Sequence, residues 1–548
     1  MSLWKKSVFP AAAQHQKLDG QTYNYGTAGF RTKANLLDSV MFRCGLIAVL
    51  RSKKTKSSIG VMITASHNPE CDNGVKIVEP MGEMLIAEWE VYATQLANAS
   101  NEELGGVIEG IIKDNNIDMT VSANVIIARD TRPSSPSLSA SVIDAIKAFN
   151  AVYTDYGMLT TPQLHYLVRC VNTNGQYGEA TEEGYYKKLS QAFTQLKIQT
   201  PGDNSYLPEI SVDGANGVGA LKVLQLQKEL KGYLDMKVFN DGSTGKLNEQ
   251  CGADYVKVGQ KPPAGVMFEV GKKYCSFDGD ADRIVYFFKS KDGSFRLMDG
   301  DKIATLIAGY LKELVASVGL NLQLGLVQTA YANGSSTYYA STVMKVPVAC
   351  AKTGVKHLHL KALDFDIGVY FEANGHGTVI FSEKATKSIT SASEDSSLTE
   401  DKKQAAVRLL NLMDVCNQTV GDAISDMLLV ESILEARLWS LEDWNSAYTD
   451  LPNRLLKVKV EDRNAIQTTD SERKATSPVG LQMAIDTTVA KYSKSRSFVR
   501  PSGTEDVVRV YAEADNQTSA DQLAYDVAVL VHKLAGGVGD PPTPPMSS

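Results

Sequence analysis

Ile63-Thr64-Ala65-Ser66-His67-Asn68-Pro69 is the stretch from which the rest of the chain can be read. The apolar run Ile59 to Ile63 leading into it predicts a buried strand, because it is rich in β-branched residues and too short for a helix. Asn68-Pro69 and Asp72-Asn73-Gly74 predict turns, since Pro fixes φ, Asn tolerates the left-handed region and Gly permits positive φ. A small, uncrowded serine therefore stands at the carboxyl end of a strand, where open α/β sheets bind their ligands. His67 beside it is a potential base for a serine nucleophile. Taken alone, the segment is either a nucleophile loop or an ordinary surface Ser-His turn.

At 548 residues the chain is too long for one hydrophobic core, and its size implies about three or four domains. Hydrophobic residues at 43% and charged residues at 22% are the proportions of a globular protein rather than a disordered one. A net charge of −7 excludes a general nucleic-acid or acidic-membrane binder, which needs a basic face, but leaves room for local basic pockets. Cysteines 44, 71, 170, 251, 275, 350 and 416 are scattered, odd in number and without a CxxC pair, which suits a reducing compartment better than a disulfide framework. Met1-Ser2-Leu3-Trp4-Lys5-Lys6 lacks an apolar signal core, and no uninterrupted apolar run reaches membrane length. The expectation is a cytoplasmic protein with no nucleic-acid, membrane or obligate protein partner. The glycosylation-like Asn98-Ala99-Ser100 and Asn333-Gly334-Ser335 are then coincidental.

Upstream, Tyr23 to Arg31 is a glycine-punctuated loop whose hydroxyls, backbone N–H groups and Arg31 suit phosphate contact, or form a plain turn. A helix is predicted from Asp38 to Leu50. Val125-Ile126-Ile127-Ala128 predicts a strand closed by Arg129-Asp130-Thr131-Arg132-Pro133, and the Ser134–Ser141 run contains a helix start before Val142–Phe149. This alternation indicates α/β layers through the first 170 or so residues. Asn172 to Glu183 reads as a linker. Ile210–Asp213, a glycine turn and a helix over Ala220–Leu230 follow; the glycine order is GxxGxG, not the GxGxxG of a dinucleotide site. Gly242-Ser243-Thr244-Gly245-Lys246 fails as a phosphate loop, because Asn240 and Leu247 stand where Gly and Ser or Thr are required.

Asp278-Gly279-Asp280-Ala281-Asp282-Arg283 lies between the apolar runs Tyr274–Phe277 and Ile284–Phe288. Three carboxylates alternating with small residues can converge on one cation. With no His or Cys in the set, Mg²⁺ or another hard divalent ion is favoured over zinc. An EF-hand is excluded, because Arg283 and Lys289 occupy its glycine and glutamate positions; a solvated acidic turn is the other reading.

Asp299 to Val315 predicts an amphipathic helix, and Leu324–Val327 and Val346–Ala349 predict strands. Lys352-Thr353-Gly354-Val355-Lys356-His357 places two cations around a glycine. After Asp366–Phe371, Glu372, Asn374 and His376 point to one side if the segment is extended, offering a carboxylate, an amide and an imidazole to sugar hydroxyls; a polar hairpin tip fits equally. Lys387 to Lys403, rich in Ser, Thr and charge, predicts a loop before a helix over Ala405–Val415. Leu455–Val460 alternates like a half-exposed antiparallel strand. In Phe498 to Asp506, an Arg500 fork, the Ser502 and Thr504 hydroxyls and the Gly503 N–H can wrap a phosphate, with Arg509 on the next strand completing the grip; a solvated turn is the alternative. Gly536–Ser548, with four prolines, is expected to be disordered.

In this order the motifs resemble the four signature loops of the α-D-phosphohexomutase superfamily: Thr64–Pro69, Asp278–Arg283, Glu372–Gly377 and Arg500–Asp506. Within it, the Phe371–Gly377 loop FEANGHG and the Tyr25–Thr32 start YGTAGFRT are similar to those of the phosphoacetylglucosamine mutase family. Asn374 stands where phosphoglucomutases and phosphomannomutases, the nearest alternative, carry a serine. The resemblance implies three α/β domains with mixed sheets and a smaller C-terminal α+β domain with an antiparallel sheet, around a central cleft. On this chain the division falls at 1–180 (phosphoserine loop), 181–295 (metal loop), 296–450 (sugar loop) and 451–548 (phosphate-binding domain).

It further implies that Ser66 is phosphorylated and that one Mg²⁺ per chain is held by phospho-Ser66, Asp278, Asp280 and Asp282. The implied reaction converts N-acetylglucosamine 6-phosphate reversibly to the 1-phosphate through a sugar 1,6-bisphosphate, which serves as activator and intermediate, and feeds UDP-N-acetylglucosamine synthesis. Glu372, Asn374 and His376 would hold the sugar, and Arg500, Ser502, Gly503, Thr504 and Arg509 its phosphate. His67, Arg31 and Lys76 are the candidates for proton transfer, beside a charge-stabilised hydroxyl with no dedicated base. The small-molecule sugar phosphate is the expected partner. A non-catalytic sugar-phosphate sensor is the alternative of a different class.

Overall fold

In the computed structural model, which describes residues 4–197, 206–502 and 506–545, the run Ile59–Ile63 is a strand with all five residues buried. It is β2 of a five-stranded sheet whose other members are β1 (Phe30–Lys33), β3 (Asp72–Val78), β4 (Asn124–Arg129) and β5 (Val152–Met158), in the order β1-β3-β2-β4-β5. β2, β4 and β5 run parallel, whereas β3 is antiparallel to both β1 and β2. The helices Asp38–Thr55, Ser135–Ala148 and Thr161–Asn172 pack against β2 and β4, which is why these strands read as unbroken apolar runs. The first two helices also pack tightly on each other. A Cβ added at Gly45 would stand 2.6 Å from Val142 O and 2.7 Å from Ala145 Cβ.

A second sheet, ordered β10-β9-β8-β6-β7, comprises β6 (Glu209–Asp213), β7 (Asp235–Phe239), β8 (Tyr274–Phe277), β9 (Ile284–Lys289) and β10 (Phe295–Met298). β6 is parallel to β7 and β8, and β9 is antiparallel to β8 and β10, so Asp278–Arg283 is the β8–β9 connection. Both sheets belong to the first of the chain's two units, formed by Met1–Gly300, Leu314–Asn321 and Asn374–Glu442. The second unit, Asp301–Glu313, Leu322–Ala373 and Asp443–Ser548, holds the parallel strands β11 (Leu324–Thr329), β12 (Val348–Ala351) and β13 (Ile367–Phe371), with β11 between the others. The chain re-enters the first unit at β14 (Gly377–Phe381) and the helix Ala423–Arg437, in which Ala423 to Leu434 are all buried.

The carboxyl-terminal part of the second unit is antiparallel. β15 (Asn453–Lys459), the hairpin β16 (Gln467–Thr469) and β17 (Lys474–Ser477), and β18 (Arg496–Pro501) and β19 (Val507–Glu513) form it, with the order β15-β19-β18. The helices Leu481–Val489 and Gln517–Leu534 cover the core of this sheet with Leu481, Ile485, Leu523 and Val527. Arg496 joins it to the loop after β11, donating to Ala330 O at 2.8 Å, Ala332 O at 2.7 Å and Glu513 Oε1 at 3.0 Å.

Three expectations need correction. Lys387–Lys403 is not a loop throughout: Glu383–Glu394 and Glu400–Val415 are helices, the first started by Ser382 accepting from Ala385 N and anchored by buried Ala385, Ile389 and Ala392. Asn172–Glu183 is a packed connection rather than a free linker. The Tyr177 hydroxyl accepts from Gln418 N at 2.9 Å, and its ring is sandwiched by Arg169 and Lys188. The tail is ordered at its start, where Glu461 N donates to Gly536 O at 2.9 Å and Val538 N to Lys459 O at 3.0 Å; residues 546–548 lie outside the described residues. All seven cysteines are free. Among the described residues no helix is long and apolar enough to cross a membrane.

Gly45→Val improves nothing in this arrangement. The added side chain separates the Asp38–Thr55 and Ser135–Ala148 helices, and thermal or urea unfolding should show a loss of about 2 kcal/mol.

Candidate active site

Ser66 emerges from β2 into a buried, left-handed backbone conformation, φ 52° with no exposed surface. That region is unfavourable for a side chain with a Cβ and persists only where surroundings impose it. Here Ser66 N donates to Thr64 Oγ1 at 3.0 Å, and Ser66 O accepts from Arg132 Nη2 at 2.9 Å and Asn248 Nδ2 at 2.8 Å. Arg132, itself 1% exposed, also donates to the carbonyls of Asn68 (2.9 Å), Pro69 (2.6 Å) and Asp72 (3.0 Å). Its Nε is fixed by Asp130 Oδ2 at 2.9 Å, and the same oxygen accepts from Thr64 Oγ1 at 2.8 Å. One buried ion pair thus holds the whole loop.

Asp278, Asp280 and Asp282 are 0%, 0% and 2% exposed, and one oxygen of each lies within 4.8 Å of the others. The loop closes through Asp282 N and Arg283 N, both donating to Asp278 Oδ1 at 3.1 Å, with Ala281 left-handed at φ 56°. It approaches the serine closely: a Cβ on Gly279 would stand 2.6 Å from Ser66 O, so only glycine fits. Ser66 Oγ donates to Asp278 Oδ2 at 2.6 Å. Burial, then the charges of Asp282 and Asp280, holds the Asp278 carboxyl well above the usual range. Burial and Asp282 also push Asp280 upward, but Lys76, the Thr161 hydroxyl and Arg31 outweigh them and hold it below that range. For Asp282, His376 and Lys76 overcome burial and keep it well below.

Lys76 Nζ donates to Asp280 Oδ2 at 3.0 Å and Asp282 Oδ2 at 2.9 Å, Thr161 Oγ1 donates to Asp280 Oδ2 at 2.6 Å, and His376 Nδ1 stands 3.1 Å from Asp282 Oδ1. Asp280 Oδ1 is buried with no hydrogen-bond partner among the described residues. An unpaired buried carboxylate oxygen in an all-oxygen cluster is the setting a hard divalent cation satisfies, so these residues fit Mg²⁺.

The three proton-transfer candidates gather around this cluster. His67 Nδ1 is 3.5 Å from Ser66 Oγ, whose bond goes instead to Asp278. Burial, reinforced by the charges of Arg283 and Arg31, pushes the imidazole down to about 2, so it is neutral but very weakly basic. Burial lowers Lys76, but Asp280 and Asp282 more than restore it; the group is a cation with no lone pair to accept a proton. Arg31 lies in the field of the same carboxylates, and its buried Nε has no hydrogen-bond partner among the described residues.

The sugar-loop residues are not extended. Residues 372–376 form a turn with Gly375 at φ 87°, and a Cβ there would stand 1.8 Å from Ile284 O. Glu372, Asn374 and His376 therefore do not alternate along a strand. In the first unit Asn374 Oδ1 accepts from His376 N at 3.0 Å, and the His376 ring is turned to Asp282. In the second unit Glu372 Oε1 accepts from Gly354 N at 3.0 Å, ahead of the helix Val355–Ala362. Arg500 and Arg509 are directly opposite one another on β18 and β19, an arrangement that calls for an anion between them. Arg500 Nε donates to Glu472 Oε1 at 2.8 Å, whereas the Arg509 Nε is buried with no hydrogen-bond partner among the described residues. Ser502 follows on β18's carboxyl side, 4% exposed; Gly503 and Thr504 lie outside the described residues.

Family models match the chain in consecutive segments. They are the phosphoglucomutase/phosphomannomutase alpha/beta/alpha domain I over residues 47–103 and 108–177, the phosphoacetylglucosamine mutase AMG1 domain II over 176–285, its domain III over 299–439, and the phosphoglucomutase/phosphomannomutase C-terminal domain over 455–530. The phosphoacetylglucosamine mutase of Homo sapiens is 57% identical over 534 residues, 97% of this chain and 98% of its own.

The chain belongs to the phosphoacetylglucosamine mutase family.

The phosphoacetylglucosamine mutase of Saccharomyces cerevisiae is 48% identical, across 94% of this chain and 96% of its own. Among solved structures, the Aspergillus fumigatus N-acetylphosphoglucosamine mutase in complex with GlcNAc-6P and magnesium superposes with a TM-score of 0.93, at 48% identity and covering 98% of this chain and 100% of that one. The protein is thus an enzyme of the phosphohexomutase superfamily, a phosphotransferase.

Sequence reasoning missed several residues that build this mutase site. Arg132 and Asp130 were visible only as charges at a strand end, and that position in an α/β sheet was the available signal. Thr161 and Asn248 carry no local signal, because each acts on a loop more than a hundred residues away. Arg132→Lys keeps the charge but cannot span four carbonyls. Unfolding should show a loss of about 2–3 kcal/mol, and turnover should fall at least about tenfold as Ser66 loses its imposed backbone.

Proposed function

We infer that the enzyme interconverts N-acetylglucosamine 6-phosphate and N-acetylglucosamine 1-phosphate through phosphorylated Ser66 and a sugar 1,6-bisphosphate. The observation that carries this is the buried, left-handed Ser66 with its Oγ 2.6 Å from Asp278 in a cluster of three aspartates. Family membership supplies the sugar, and the same set supports a mutase over a sensor, which has no use for a strained serine beside a cation site. We propose four domains, at 1–180, 181–295, 296–450 and 451–548; the family-model segments support the division. The free thiols support a reducing, cytoplasmic location.

Phosphoryl transfer depends on positioning and charge neutralisation more than on covalent elaboration by the protein. Asp278, Asp280 and Asp282, with phosphorylated Ser66, would hold Mg²⁺, which would supply charge withdrawal from the phosphoryl group. The P–O bond to Ser66 Oγ breaks as a bond to the sugar's O1 forms, and the O1 proton passes to Ser66 Oγ; after the bisphosphate turns round, Ser66 Oγ takes the phosphoryl group from O6 and its proton passes to O6. Lys76 and Arg31, both cationic, neutralise the developing negative charge. Neither they nor His67, held neutral near 2, is suited to a strong-base role, which favours a charge-stabilised hydroxyl with no dedicated base. Arg500, Ser502, Gly503, Thr504 and Arg509 bind the phosphate that is not being transferred, and Glu372 and Asn374 bind the sugar. His376 is better placed to orient Asp282 than to grip a hydroxyl.

Two measurements follow. Turnover read by ³¹P NMR, with Mg²⁺ and a trace of bisphosphate, should favour N-acetylglucosamine 6-phosphate over glucose 6-phosphate, and Ser66→Ala should abolish it while sugar-phosphate binding persists. A preference for glucose would overturn the substrate assignment, and full activity of the variant would overturn the nucleophile. His376→Ala should weaken metal binding, read with Mn²⁺ by electron paramagnetic resonance, by about tenfold while leaving KM for the sugar within about twofold.

A further inference from the structure

Lys352-Thr353-Gly354 and the β16–β17 hairpin have no part in the reaction as described, yet they meet at Arg500. Glu472, at the hairpin tip, accepts from Arg500 Nε through Oε1 at 2.8 Å. Its Oε2 accepts from Thr353 N at 2.9 Å and Thr353 Oγ1 at 2.6 Å. A guanidinium, a backbone N–H and a hydroxyl are the donors a phosphate monoester takes, and they stand just ahead of the helix Val355–Ala362, whose amino end favours an anion. The carboxylate is largely withdrawn from solvent, with 13% of the Glu472 side chain exposed against 19% for Arg500.

We propose that Glu472 is an internal competitor for the phosphate clamp: it occupies Arg500 and Thr353 until a sugar phosphate displaces it, and so limits how tightly substrate and bisphosphate are held. The proposal rests on Arg500 being a phosphate ligand. Two further observations support it. Asp470, Ser471 and Glu472 are consecutive non-glycine residues at φ 52°, 53° and 71°, so the tip is kept in place by contacts, among them Ser471 Oγ donating to Cys350 O at 2.9 Å, and not by its own preference. Glu472 also satisfies the clamp incompletely, since Arg509, opposite Arg500, keeps a buried Nε with no hydrogen-bond partner among the described residues. A phosphate dianion, with more charge and more acceptor oxygens, displaces a carboxylate from such a site. The competition serves the reaction: a bisphosphate that must leave the clamp in one orientation and return in the other is trapped by a site that binds too well.

The test uses the full chain carrying Ser66→Ala, so that no phosphoryl group moves, and measures inorganic phosphate and N-acetylglucosamine 6-phosphate binding by calorimetry. Glu472→Gln should tighten both by about tenfold, the scale of one lost charge-assisted hydrogen bond. Unchanged or weakened binding overturns the competitor and leaves the clamp standing, provided Arg500→Ala still loses affinity. If Arg500→Ala binds phosphate as well as its parent, the clamp reading fails and the competitor with it. Should Glu472→Gln lower the melting temperature, Glu472→Asp reads the same competition, because it keeps the charge but shortens the reach; tightening supports the proposal and its absence overturns it.

Discussion

Three carboxylates forced together out of water are the constraint on which the first unit depends. Asp278, Asp280 and Asp282 repel one another, and burial removes the solvent that would screen them. The fold answers with groups from separate elements: Lys76 from β3, Thr161 from a helix start, His376 from the turn before β14, and the backbone N–H groups of the loop itself. Even so, Asp280 Oδ1 has no hydrogen-bond partner among the described residues. Such a cluster is unfavourable for stability on its own, and its convergent oxygens are a donor set that a hard divalent cation satisfies.

The same economy governs Ser66. A residue without glycine's freedom is bent into the left-handed region so that its hydroxyl meets Asp278, and the cost is met by Arg132, which gathers four carbonyls of the loop onto one guanidinium. The loop is therefore rigid before substrate arrives, which is the condition for positioning to contribute to phosphoryl transfer. In the second unit the sign is reversed. Arg500 and Arg509 face each other across β18 and β19; Glu472 accepts from Arg500, and the Arg509 Nε has no hydrogen-bond partner among the described residues. One region is built with an excess of negative charge and the other with an excess of positive charge, as a cation and a phosphate respectively require.

Much of this was legible in the primary structure, for reasons that differ by residue. Ile59–Ile63 announced a doubly covered strand because its apolar run is unbroken, and Asp278–Arg283 announced convergent carboxylates because alternating acidic and small residues can crowd together without steric conflict. Local signals failed where tertiary packing outweighed composition. The Ser- and Thr-rich stretch after Lys387 became helix because Ala385, Ile389 and Ala392 had a surface to bury against. Residues 372–376 turned rather than extended because Gly375 packs on Ile284 at a distance no side chain allows.

By itself the sequence determined most of the strands and helices, the donor types in the serine and aspartate loops and, through the order of four motifs, the family. These are properties of short segments, set by periodicity, turn residues and donor type. Only the tertiary structure decided which groups serve which. It gave Ser66 to Asp278 rather than to its neighbour His67, turned His376 from the sugar loop toward Asp282, set Arg132 and Asn248 beneath a serine far away in the chain, and brought Glu472 onto Arg500. Partnership in a folded chain is fixed by where strands end and which loops meet there, and those distances are not written in the spacing of residues along the backbone.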